Sequence, residues 1–114
     1  MVIIKLQDGT DWFKANWIFR QLAKDTIATF PDDHELKLTM ERSQALGGLF
    51  LDSMESDASI ATLTAIRKVA AETLAGKIPG WKKANPEDIK GQEMYLRSIA
   101  ELLDLINCQD NNGT

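Results

Sequence analysis

Two pairs of carboxylates have the spacing that metal chemistry needs. Asp52 and Glu55 stand three residues apart, and so do Glu101 and Asp104. Residues three apart on a helix share a face. Two such faces turned toward each other would offer hard oxygen ligands to a Mg2+ ion. Trp81, followed by Lys82 and Lys83, sets an aromatic ring beside two cations, the combination that stacks on a base and meets phosphate. His34 is the sole histidine and Cys108 the sole cysteine. One histidine excludes a HExxH metal motif. One thiol excludes both an internal disulfide and a zinc site built of cysteines. His34 lies within Asp32-Asp33-His34-Glu35 and reads as an exposed polar residue at a helix start. Cys108 reads as a small, at least partly buried hydrophobe near a helix end. No glycine spacing matches a phosphate-binding loop.

In form, the pairs Asp52/Glu55 and Glu101/Asp104 resemble the acidic pairs of the all-helical nucleotide pyrophosphohydrolases of the MazG type. The resemblance covers these four residues, and the glutamate-rich first pair of that family has no counterpart here. It implies Mg2+-dependent nucleotide hydrolysis on an all-α frame. The residues themselves also fit a plain solvated face, since Glu101 and Asp104 flank the apolar Leu102 and Leu103.

Charge narrows the partners. The 114 residues carry a net charge of −4, with a pI near 4.9. A nucleic-acid footprint over the whole chain is disfavoured, because that demands a basic surface. Residues 32–56 hold a net −4 and residues 92–114 a net −3, whereas residues 77–91, around Trp81, Lys82 and Lys83, hold +2. The N-terminal run Met1–Leu6 is too short for a signal-peptide core, and Asp8 and Asp11 follow it. No apolar run reaches the roughly 18–20 residues that span a bilayer. The expected setting is the cytoplasm, away from membranes.

The elements that must position these residues follow from periodicity. Val2–Leu6 is β-branched and apolar and is closed by Asp8-Gly9-Thr10, which reads as a short extended segment and a turn. A first helix, capped by Thr10 or Asp11, carries Trp12, Ala15, Phe19, Leu22, Ala23, Thr26, Ile27 and Phe30 on one stripe. It stops at Phe30-Pro31, because a residue before proline avoids helical angles. A second helix opens at residues 32–35 and carries Leu36, Met40, Ser43, Gly47, Phe50 and Met54, continuing through or kinking at Gly47-Gly48. A third runs from the capping residues 56–59 to Gly76, with Ile60, Leu63, Ile66, Ala70 and Leu74 inward. After a loop at residues 78–84, Asn85 and Pro86 begin a fourth helix that ends near Cys108. Residues 109–114 read as a frayed tail.

The expected fold is all-α: one domain over residues 1–114, a bundle of about four helices with a short N-terminal extended segment. Phe13, Trp17 and Ile18 lie off the stripe of the first helix. With Ile4 just before them, they are the candidate interface residues, and a homodimer or a protein partner is expected to cover them. The function this favours is protein binding or assembly without catalysis and without a cofactor. Immunity proteins, antitoxins and phage-encoded inhibitors, which neutralise a partner, offer the analogy at the level of class. A Mg2+-dependent nucleotide hydrolase is the alternative, and a nucleic-acid accessory protein is the third reading.

Overall fold

The computed structural model describes residues 2–76 and 86–112. Two β-strands, β1 (Val2–Lys5) and β2 (Asp11–Lys14), precede α1 (Asn16–Thr29) and α2 (His34–Leu46). A third strand, β3 (Gly48–Phe50), leads through a 3-10 turn at Leu51–Ser53 into α3 (Ser56–Leu74), and α4 (Pro86–Asn112) ends the described chain. The fold is therefore α+β, which corrects the all-α expectation: a three-stranded mixed sheet of order β2-β1-β3 packs on a helical layer.

The extended N-terminal segment finds its partner nine residues later. Val2–Lys5 pairs antiparallel with Asp11–Lys14, with Ile3 opposite Phe13 and Ile4 opposite Trp12. The turn between them is built from short local bonds. The Leu6 N–H donates to Thr10 O at 2.8 Å and the Gly9 N–H to Leu6 O at 2.9 Å. The Asp8 carboxylate accepts from the Thr10 N–H at 2.8 Å. Residues 11–14 were expected to open the first helix. They form β2 instead, because a ladder on β1 satisfies their backbone groups and alternation still buries Trp12. Helix α1 then starts at Asn16, with Ala15 as a cap that supplies no side-chain bond.

The second helix does not continue through Gly47-Gly48. Asp33 caps its start by accepting from the Leu36 N–H at 3.0 Å. It ends at Leu46, where Gly47 takes a left-handed φ of +78° and donates its N–H to Ser43 O. That reversal is disfavoured for residues with a Cβ. The next residue begins β3, parallel to β1, with Ile3 opposite Gly48 and Ile4 opposite Leu49. A Cβ on Gly48 would lie 2.7 Å from Ile3 Cγ2, 2.9 Å from Phe50 Cζ and 3.0 Å from Ile3 O. The two glycines thus do different work. Gly47 turns the chain, and Gly48 lets a strand approach closely.

One hydrophobic cluster joins sheet and helices. Val2, Ile4, Leu6, Trp12, Leu49 and Leu51 enter it from the sheet side. Phe19, Leu22, Met40, Ile66, Val69, Tyr95, Ile99, Leu102 and Ile106 enter it from the helices. Helix α1 is central, packing on both α2 and α3, and α3 packs along α4. Helix α4 begins at Pro86 as expected and continues to Asn112, four residues past the expected end. Cys108 is exposed, contrary to the expectation of partial burial. No helix among the described residues is long and apolar enough to cross a membrane.

Gly47→Asn should leave stability nearly unchanged, because asparagine tolerates the left-handed region. Gly48→Leu should cost about 1–3 kcal/mol by overpacking against β1. Denaturant melts of the two variants check the distinction; equal losses would contradict it.

Candidate contact surface

The sheet has one face inside and one outside. Strand alternation turns Val2, Ile4, Trp12 and Leu49 inward. The same alternation places Ile3, Lys5, Asp11, Phe13, Gly48 and Phe50 on the opposite face. The register arranges that face in two rows, Phe13–Ile3–Gly48 and Asp11–Lys5–Phe50. Phe13 is 52% exposed and Phe50 38% exposed. The close approach of Ile3 and Phe50 over Gly48 makes the apolar part continuous. Leu46, 75% exposed, stands two residues before β3. The charges on the face are Lys5 and Asp11, whose Nζ and Oδ1 lie 4.0 Å apart. An exposed pair at that separation is worth at most about 1 kcal/mol; its consequence is that the face is neutral.

Of the four expected interface residues, the structure leaves Phe13 on the surface. Trp17 is half-buried, with its ring 6.4 Å from that of Tyr95 at a 35° tilt. Ile18 and Ile4, 2% and 0% exposed, belong to the core. Sequence periodicity missed Phe50, because it counted that residue into the buried stripe of the second helix. An Asp-Gly turn between two short apolar runs was the available signal for the hairpin.

The carboxylate pairs do not come together. Asp52 sits in the 3-10 turn and Glu55 is the cap residue of α3, so no continuous helix carries both. Glu101 forms an ion pair with Lys14 of β2. Among the described residues, no group of three or more histidine, cysteine, aspartate or glutamate side chains is placed to hold a metal ion. His34 is exposed in the first turn of α2, as expected. Trp81, Lys82 and Lys83 lie outside the described residues.

A separate polar cluster lies in the interior. Asp25 of α1 is 6% exposed. Its carboxylate accepts from Gln21 Nε2 at 2.9 Å and from the Tyr95 hydroxyl at 3.4 Å. Burial raises the Asp25 pKa above the usual carboxylate value, against the lowering effects of Gln21, Tyr95 and the Lys24 charge. Burial, with the Asp25 charge added, also raises the Tyr95 phenol. The cluster joins α1 to α4.

The Asp25 shift has a definite sign. A carboxyl with a raised folded-state pKa binds its proton more tightly folded than unfolded. Its protonated form favours folding most below the ordinary value of 3.8. Stability falls as pH rises through the folded-state pKa and then levels. Asp25→Asn, with the Gln21 amide turned to accept, should therefore be more stable than the parent at neutral pH. The gain should close at pH values below 3.8. Thermal melts over a pH series check this, and a gain that persists unchanged in acid would contradict it.

No protein-family model, no curated protein and no solved structure matches this chain, so the contact surface is read from its geometry alone.

Proposed function

We propose that the chain is a protein-binding or assembly module without catalytic activity, and that it assembles as a homodimer through the outer face of its sheet. The observation that carries this reading is the pair of half-exposed phenylalanines, Phe13 and Phe50, bridged by Ile3 on the sheet face opposite the core. Exposed aromatic residues that form one continuous patch are characteristic of protein contacts. The face is also neutral on a chain of net charge −4. Copies of an acidic protein repel over most of their surface, and here they can approach without bringing like charges together. The helical layer serves as the support that holds this face rigid.

Phe13→Ser combined with Phe50→Ser tests the reading. Light scattering over a concentration series should give the mass of two chains for the parent and of one 12.7 kDa chain for the double variant. The melting temperature should stay within a few degrees, because neither ring is in the core. A parent that stays monomeric at its highest soluble concentration would contradict the homodimer. Collapse of the double variant's fold would show that the rings serve the monomer instead.

A further inference from the structure

We infer that a cleft between α1 and the end of α2 binds a small organic carboxylate, with Arg20 as its counter-ion. The cleft holds about 230 Å³. Its lining shares no residue with the outer face of the sheet, so the inference goes beyond the contact reading and does not depend on it. Val2 and Phe19, 6% and 1% exposed, give it an apolar base. Asn16 and Arg20, four residues apart, stand on one side of α1. Gln44, in the last turn of α2, lines the same space. Gly47 completes the lining where the chain reverses toward β3. A Cβ there would meet nothing within 4 Å, so the reversal leaves that side of the cleft open.

Arg20 is the one charged residue in this lining. Among the described residues no carboxylate pairs with it. Its neighbours three and four residues away are Asn16, Trp17, Ala23 and Lys24, none of them acidic. Glu41, one turn before Gln44, lies outside the lining. On an acidic chain, a cation in a cleft without an internal counter-ion is placed to take an external one. A guanidinium holds a carboxylate through two parallel N–H donors. The Asn16 and Gln44 amides can donate to the same anion or to a polar group beside it. Val2 and Phe19 then receive a short hydrocarbon body. One cation matches one negative charge. The volume lies below the roughly 300 Å³ at which clefts for drug-sized ligands begin. The class that fits all of this is a short-chain monocarboxylate. Inorganic phosphate would satisfy Arg20 but has nothing to set against Val2 and Phe19.

NMR titrations of the parent with butyrate, acetate and inorganic phosphate test the site. Butyrate should shift the backbone signals of Asn16, Arg20 and Gly47 and the side-chain amides of Asn16 and Gln44. The shifts should saturate in the millimolar range that so few atoms allow. Acetate should bind more weakly, by up to about fourfold for each methylene removed. Arg20→Gln should weaken butyrate by roughly tenfold or more, since a charge-assisted bond is lost. Its melting temperature should match the parent's, because Arg20 is exposed. The absence of a saturable butyrate shift at these residues, or equal butyrate binding by Arg20→Gln, would overturn the site. Phosphate binding as tightly as butyrate would overturn the carboxylate class.

Discussion

The fold depends on one indole placed between sheet and helix. Trp12 Nε1–H donates to the carbonyl of Ser98 at 2.9 Å, across 86 residues of sequence. The ring is 2% exposed. An indole N–H buried without a partner is costly, so this bond permits the largest side chain of β2 to lie inside. Two residues on, Lys14 reaches Glu101 on the same helix. Together these ties hold β2 flat on α4. Everything on the outer face follows by alternation. With Trp12 in, Phe13 must point out; with Ile4 in, Ile3 points out; with Leu49 in, Phe50 points out.

Polar bonds elsewhere lock the sheet at its other end. Ser59, at the start of α3, accepts from Gln7 at 2.8 Å and donates to the carbonyl of Leu51 at 2.9 Å. One hydroxyl thus joins the hairpin turn, the 3-10 turn and α3. The Asp25–Tyr95 contact does the same between α1 and α4. Buried polar groups of this kind add little net stability, but they restrict which elements can meet. They fix the sheet's position on the helices.

Local signals in the sequence identify the elements whose ends have their own chemistry. Asp33 as a cap, Phe30-Pro31 as a stop and Pro86 as a first helical residue all specify their boundaries by short-range bonds and sterics. Of the two missed strands, β2 has the Asp8-Gly9 turn as its local mark, and that turn leaves the period of the residues after it open. Asp11–Lys14 is four residues long, and Trp12 also fits a helical stripe with Ala15 and Phe19. Only pairing with Val2–Lys5 decides between the periods. Gly48–Phe50 is shorter still, and its place is set by Ile3, 45 residues away. Phe13 was visible as a residue off the helical stripe. Ile4 and Ile18 could not be told from it, because a central helix is apolar on more than one side just as a contact helix is.

Hydrogen exchange at the Trp12 indole tests the central claim most directly. The claim is that this N–H is sealed between β2 and α4 and opens only when the domain unfolds. The indole proton should then exchange with the same opening free energy as the slowest backbone amides of α3 and α4. Rapid exchange of the Trp12 indole while those helices remain protected would contradict it. That result would mean that β2 leaves α4 freely and that the outer face of the sheet has no fixed position.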